Sequence, residues 1–399
     1  MLRRTAASVH DYRLTAQSIL PRTLFEYVDG GALDESTLAR NTADFDEIYI
    51  RQKVLRGAKV ETAGSVLGHE ASFPVALAPI GSLGMLYPQG EILAFRAARA
   101  AGIGACLSSF SVCSIEEVMP EVGDGDAFQL YVLKDPGRTE EILARATAAG
   151  FRNLVVTVDT THPGMRDRDL RNGYRSAARP PLTMLLDCAL HPRWFARSWR
   201  SLGRGLGNFA HWDGVGSGLI AQAAYMSRQL KTDLTWNDIE AVVKRWPGRV
   251  VVKGITDPED VARAIGVGAD GVVVSNHGGR QLDGVMSSIA ALPVIANRYS
   301  GEVEILFDSG IRRGSHLLKA LALGADGCLL GRSYAYGLAS AGADGVIAVL
   351  EMLRKELTMS MALAGVASIE DLRTGRVACV SLREPRSTAS VPAELCERL

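Results

Sequence analysis

From Phe73 onward the chain repeats one unit: a short apolar run, a turn, then an amphipathic segment. The apolar runs fall at 73–80, 104–109, 126–133, 153–159, 250–255, 270–276, 303–309 and 327–331. Each is nearly continuous in apolar character, as parallel strands buried on both faces must be. Alternation with helical segments builds successive βα units. Several helix starts are marked. Ser114-Ile115-Glu116-Glu117 fits a capping box, and Asp257-Pro258 sets an N-cap residue before a proline at the first helical position. Thr235-Trp236-Asn237-Asp238 is a weaker version of the same signal. Eight such units predict an α/β chain folded as a (β/α)8 TIM barrel, a fold that gathers active sites at the C-terminal strand ends. A doubly wound sheet is the alternative, but no G-x-G-x-x-G follows the first strand.

The segments outside this rhythm read differently. Residues 8–46 carry apolar pairs at helical spacing, Ile19-Leu20 and Leu24-Phe25, with Pro21 suited to a first turn, and predict an N-terminal helical cap. Residues 176–234 hold no clear strand and are too long for an ordinary barrel loop, so they form an insertion after the fourth strand. The insertion carries Arg179, Arg193, Arg197, Arg200 and Arg204 against Asp187 and Asp213, and holds Trp194, Trp199 and Trp212. With the run Leu182-Thr183-Met184-Leu185-Leu186, this composition suits a membrane-surface segment or, equally, a solvated or partner-binding excursion. Deleting about 180–222 is expected to leave an enzyme that still reduces a dye but no longer sediments with vesicles. The stretch 373–399 is less patterned, a tail on what reads as a single domain over 1–399.

Composition removes several classes. Lys+Arg and Asp+Glu are both 44, and no basic tail occurs, so a nucleic-acid partner is not expected. The cysteines Cys106, Cys113, Cys188, Cys328, Cys379 and Cys396 are scattered without C-x-x-C spacing, which points away from a metal site and toward reduced thiols. The start, Met1 to Ser8, has positive charge without an apolar stretch behind it, and no run is long enough to span a bilayer. A cytoplasmic location is expected.

Polar groups accumulate where the runs end. The first ends at Ala78-Pro79-Ile80-Gly81, the second at Ser108-Ser109, and the third contains Gln129 and Tyr131 on one face by strand periodicity. The fourth ends at Thr157-Val158-Asp159, with Arg166 shortly after, and the fifth ends at Lys253-Gly254. The sixth runs into Ser275-Asn276-His277-Gly278-Gly279-Arg280-Gln281-Leu282-Asp283-Gly284. Here an imidazole that can take a proton near neutral pH sits beside a guanidinium fork suited to a carboxylate or phosphate. Asp308-Ser309-Gly310 with Arg312, then Gly331-Arg332, open helices after the last two strands, where barrels commonly hold a phosphate. A buried Lys253 needs a negative neighbour. The anionic ring of a reduced flavin would serve, and a Schiff-base lysine of an aldolase-type barrel is the alternative.

The motifs Ser-Asn-His-Gly-Gly-Arg-Gln-Leu-Asp at 275–283, Phe-Gln-Leu-Tyr at 128–131, Asp-Ser-Gly-Ile-Arg-Arg-Gly at 308–314 and Ala-Leu-Ala-Leu-Gly-Ala at 320–325 resemble the FMN-dependent 2-hydroxy-acid oxidising enzymes. The resemblance runs from about residue 8 to about 372. Val-Asp-Gly-Gly-Ala at 28–32, His-Pro-Arg-Trp at 191–194 and the long insertion bring it nearest to membrane-associated L-lactate and mandelate dehydrogenases. It implies FMN as cofactor and oxidation of an L-2-hydroxy acid of the lactate or mandelate class. It makes His277 the active-site base with Asp159 as partner. It assigns Arg166 and Arg280 to the substrate carboxylate, with Tyr27 and Tyr131 completing those contacts. Ala78, Pro79, Ile80, Ser108, Gln129, Thr157, Lys253 and Ser275 then touch the flavin, and Asp308, Gly310, Arg312, Gly331 and Arg332 hold its ribityl and phosphate. The resemblance further implies a quinone acceptor, insertion-mediated contact with the inner face of the cell membrane, and a homotetramer. Glycolate oxidases have Trp where this chain has Phe110, and oxidases often have Ala where it has Gly81, so dehydrogenation is favoured over peroxide-forming oxidation. The other readings are a non-redox phosphate-binding isomerase or aldolase and a non-catalytic membrane adaptor.

Overall fold

The computed structural model describes residues 6–57, 59–173, 182–201, 203–216, 218–373 and 380–382. Eight parallel strands close into a barrel: β1 (Val75–Leu77), β2 (Gly104–Ser108), β3 (Ala127–Leu130), β4 (Asn153–Thr157), β5 (Arg249–Ile255), β6 (Gly271–Val274), β7 (Glu304–Phe307) and β8 (Gly327–Leu330). Closure comes from β8 pairing onto β1, with Leu329 opposite Ala76. Every expected run supplies one strand. Except for β5, the strands are shorter than the runs, whose closing residues, Ser109 and Asp308 among them, begin the loops. Val251, Val252, Val272, Val273, Val274, Ile305, Leu306 and Phe307 are fully buried, as strands between a packed barrel interior and a helical ring require. Ser114 and Glu117 close their capping box reciprocally, and Asp257 accepts from the Glu259 amide. The weaker signal at Thr235 also forms, with Asp238 accepting from the Thr235 amide at 2.8 Å.

Three helices lie N-terminal to the barrel: α1 (Val9–Ile19), α2 (Arg22–Asp29) and α3 (Ser36–Ala43). A helix C-terminus leaves orphan carbonyls and a partial negative charge. At the end of α2 two guanidinium groups meet that need. Arg280 donates to Tyr27 O at 2.6 Å and Gly30 O at 3.0 Å, and Arg332 donates to Val28 O and Gly30 O, each at 2.8 Å. Buried Asp29 accepts from Arg13 at 2.6 and 2.8 Å, from Arg168 at 3.2 Å and from the Tyr336 hydroxyl at 2.7 Å. The start of α3 is capped from across the fold, where Asp283 accepts from the Ser36 hydroxyl and the Thr37 amide at 3.0 and 2.7 Å.

The insertion between β4 and β5 contributes helices Leu182–Ala189, Pro192–Ser198 and Leu219–Gln229. It is less of an excursion than its composition suggested. Trp194 is buried and donates to Met85 O at 2.9 Å, and Trp212 is buried against Glu141. These two rings anchor the insertion, so Trp199 alone of the three tryptophans is exposed. Arg197 stacks on Tyr87 and Arg204 pairs with Glu117, so neither is an unengaged headgroup contact. Asn208, fully buried, donates to Ser109 O at 2.9 Å and accepts from the Ile115 amide at 2.8 Å. Deleting 180–222 would therefore strip packing from the loops after β2, and the expectation of an intact enzyme after that deletion is withdrawn. Arg179 and most of 373–399 lie outside the described residues. Val380–Leu382 pairs antiparallel with Ile48–Ile50. Among the described residues no helix is long and apolar enough to cross a membrane.

Candidate active site

A cleft of about 1200 Å³, measured out to its mouth, opens at the C-terminal ends of the strands. Ala78, Pro79, Ile80, Ser108, Tyr131, Lys253, Arg280, Asp308, Gly310, Arg312, Gly331 and Arg332 border it, with Tyr27, Arg166 and His277. Asp159, Gln129, Thr157 and Ser275 do not line it but touch or flank groups that do. Barrel register explains the grouping: Ser108 lies opposite Gln129, and Thr157 opposite Lys253.

The loop after β6 sets the chemistry. His277, Gly278 and Gly279 all have left-handed backbones, φ 58, 67 and 72 degrees. A Cβ on Gly278 would lie 2.5 Å from a nitrogen of Arg332, and one on Gly279 would lie 2.6 Å from Leu38 N. Only glycine fits both positions. This turn leaves His277 Nδ1 3.0 Å from Asp159 Oδ1. Burial pulls the imidazole below its ordinary pKa, against the upward pull of Asp159 and with Lys253 and Arg280 reinforcing the drop. Burial alone would raise the Asp159 carboxyl, but His277 and Lys253 hold it below its ordinary value. A carboxylate can only accept, so His277 donates through Nδ1 and keeps the Nε2 lone pair as a base. Gly254, at φ 106 degrees, makes room for this pair: a Cβ there would sit 2.6 Å from Asp159 Cγ. Gln281 stitches the loop to its neighbour, donating to Asp159 O at 3.0 Å and accepting from the Gly164 amide at 3.0 Å.

Two guanidinium groups stand together over one aromatic ring. Arg166 and Arg280 lie over the Tyr27 ring at 5.9 and 5.2 Å, and the Tyr27 hydroxyl donates to Gly81 O at 3.1 Å. Burial, with Arg166 and Arg332 nearby, brings the Arg280 guanidinium down to about 9. Asp169 relieves part of that charge: buried at the start of a short helix, it lies 2.9 Å from Arg166 Nε. Arg166 Nη2 remains buried without a hydrogen-bond partner. Such a pair of cations, one buried and one half-buried, suits an incoming carboxylate.

At the floor, Lys253 Nζ lies 2.9 Å from Asp308 Oδ2 and donates to Ser275 Oγ at 2.9 Å. Burial works against its charge, but Asp308 and Asp159 outweigh burial and raise its pKa. It is an ammonium. A Schiff-base lysine needs the opposite shift, so the aldolase alternative loses its nucleophile. Gln129 Nε2 and Thr157 Oγ1 are buried there without partners, and polar groups so placed call for a ligand with matching donors and acceptors. Arg332 spends its nitrogens on carbonyls, including Gly278 O at 2.9 Å, and burial brings it down to about 10. Gly310 proves to be a packing glycine as well: at φ 86 degrees, its Cβ would overlap Asn41 O at 1.7 Å.

A family model described as FMN-dependent dehydrogenase matches residues 16–379. The chain belongs to the FMN-dependent dehydrogenase family. An L-lactate dehydrogenase of Alcaligenes faecalis is 45% identical over 92% of this chain and 97% of its own length. One from Xanthomonas euvesicatoria pv. vesicatoria is 45% identical over 96% of this chain and 99% of its own. Among solved structures, (S)-mandelate dehydrogenase, a monotopic membrane protein, superposes with TM-score 0.88 at 36% identity, covering 95% of this chain and 100% of that one. A mandelate oxidase gives 0.81 at 36% identity over 95% and 99%. For a member of the FMN-dependent dehydrogenases the orphaned Gln129 and Thr157 atoms and the charged Lys253 have a natural purpose, because the flavin ring presents donors, acceptors and a reduced anionic form. Sequence reasoning missed Asp169, Gln281, Gly254 and Asp29. Asp169 carried a signal in its i+3 spacing from Arg166, and Gln281 and Asp29 lie inside the motifs at 275–283 and 28–32 without having been given a role.

Proposed function

We propose that this protein oxidises an L-2-hydroxy carboxylic acid to the 2-oxo acid, with His277 as the base. The observation that carries the reading is one cleft holding an imidazole on a half-buried carboxylate beside two guanidinium groups, Arg166 buried and Arg280 half-buried. Arg166 and Arg280 take the substrate carboxylate, which turns the α-carbon and its hydroxyl toward His277, with Tyr27 and Tyr131 bordering the same space. Such orientation converts binding energy into proximity. Oxidation removes a hydrogen from carbon and one from oxygen. His277 Nε2 accepts a proton, and Asp159 stabilises the resulting imidazolium, a role worth about 10²–10⁴-fold for a well-placed base. FMN, when bound, would accept the two electrons together with the second hydrogen. Ala78, Pro79, Ile80, Ser108, Gln129, Thr157, Lys253 and Ser275 would hold its ring, and Asp308, Gly310, Arg312, Gly331 and Arg332 its ribityl and phosphate. Lys253 would stabilise negative charge on the reduced ring.

The acceptor is read as a quinone in the membrane, with the protein peripheral on the inner face and assembled as a homotetramer. What supports membrane contact is a group of exposed apolar residues. Leu182, Leu186 and Leu190, spaced four apart, are 71%, 57% and 78% exposed, and Phe195 and Trp199 shortly after them are exposed as well. Scattered exposed apolar residues are ordinary, but so many large ones within 18 residues of sequence suit a contact surface. The test is anaerobic titration of the yellow holoenzyme with L- and D-lactate and (S)- and (R)-mandelate, followed by reoxidation with a quinone analogue or oxygen. Bleaching by L-acids and rapid quinone reoxidation support the reading. No bleaching by any 2-hydroxy acid refutes it, and peroxide as the main product refutes the quinone assignment. Leu186→Asp with Leu190→Asp should abolish sedimentation with anionic vesicles and leave dye reduction intact. Light scattering with chromatography reads the tetramer.

A further inference from the structure

We infer that Phe209, a residue of the insertion that does not touch the cleft, is a positioning residue for substrate side-chain selection, acting through Phe110. The inference rests on the proposed 2-hydroxy-acid oxidation and names what sets its preference. Phe110 and Tyr131 border the cleft with ring centroids 5.0 Å apart. Phe209 meets Phe110 edge-on, centroids 5.8 Å apart and planes at 82 degrees. Phe209 in turn leans on Trp212 at 4.9 Å, and Arg138 covers Trp212 at 4.7 Å. Four rings thus run from the cleft to the outer anchor of the insertion.

The support behind this row is rigid. Phe209 is fully buried and follows Asn208, whose side chain binds Ser109 O, Ser111 Oγ and the Ile115 amide. Gly207 approaches so closely that a Cβ there would lie 2.6 Å from Val112 O and Ser114 N. Both contacts tie the insertion to the loop carrying Phe110. Close-packed rings have few alternative rotamers while their neighbours stay. Phe110 therefore faces the cleft because Phe209 leaves its ring no room to withdraw. The same insertion supplies Ser227 and Leu230 to the cleft wall. The chain's long insertion is thus part of the pocket that reads the substrate side chain.

The experiment compares kcat/KM for L-lactate and (S)-mandelate in wild-type holoenzyme, Phe209→Ala, Phe209→Leu and Phe110→Ala, with FMN content checked by absorbance. Truncating Phe209 lets Phe110 retreat and enlarges the pocket. The mandelate-to-lactate ratio should rise at least fivefold in Phe209→Ala and in the same direction as in Phe110→Ala. Phe209→Leu keeps the core filled and should give a smaller rise, so the ratio is readable even where Phe209→Ala yields little holoenzyme. Adding Phe209→Ala to Phe110→Ala should change the ratio no further. Equal losses for both substrates, with the ratio unchanged within twofold, would show a merely structural role and overturn the inference. Failure of wild-type enzyme to oxidise either acid overturns the proposed function instead, and is seen before any variant is made.

Discussion

Asp159→Asn tests how the site makes a base. The carboxylate stands 3.0 Å from His277 Nδ1 and is half-buried, so it stabilises the imidazolium that forms when the proton is taken. A hydrogen bond to a charged group contributes about 1.5–3 kcal/mol net. Each 1.36 kcal/mol is tenfold in rate, so losing it from the transition state should slow flavin reduction by about 10- to 150-fold. The pH profile gives an independent readout. The base works when neutral, so kcat/KM falls as pH drops through the His277 pKa, which lies below the ordinary imidazole value. Asp159 pulls that pKa upward, so asparagine should move the acid limb to lower pH. KM should change little, because Arg166 and Arg280 are untouched. Stopped-flow reduction under anaerobic conditions from pH 5 to 8 measures both effects. A rate within twofold of wild type with an unmoved acid limb would refute the reasoning.

Gly254→Ala should mimic that loss with Asp159 still present, because its Cβ would meet Asp159 Cγ at 2.6 Å and the backbone is left-handed; a normal flavin reduction rate in a folded variant would show that the close approach does not matter. Arg166→Lys loses the planar fork while keeping charge, so KM for the hydroxy acid should rise more than kcat falls, with kcat/KM down by about 10- to 150-fold from one charge-assisted bond; steady-state kinetics decides. Asp283→Ala removes the cap of α3 and should cost about 1 kcal/mol, seen as a lower urea midpoint at unchanged slope.

Much of the fold was written in the apolar runs, because a strand buried on both faces tolerates nothing else. Val272-Val273-Val274 could scarcely be read otherwise. The site was legible in a different way. His277 and Asp159 are 118 residues apart, and no spacing rule joins them; the resemblance of their motifs did. Contacts between distant aromatic residues left no trace: Phe209 meets Phe110 across 99 positions, and nothing in either neighbourhood announces it. The tryptophans of the insertion misled for a related reason. Composition counts rings but does not say which face of the backbone they occupy, so Trp194 and Trp212 read as surface groups although they are anchors. Gly254 was silent as to its role, since a glycine needed for room looks like any other glycine, and Gly310 was read for the cofactor while its close approach to Asn41 went unseen.

The central claim is that His277 takes the substrate's proton in a site that binds FMN and substrate without it. His277→Ala holoenzyme should keep its yellow colour and bind an unreactive carboxylate analogue with near-wild-type affinity, while anaerobic reduction by the L-2-hydroxy acid slows by at least 10²-fold. Bleaching of that variant at the wild-type rate would contradict the account.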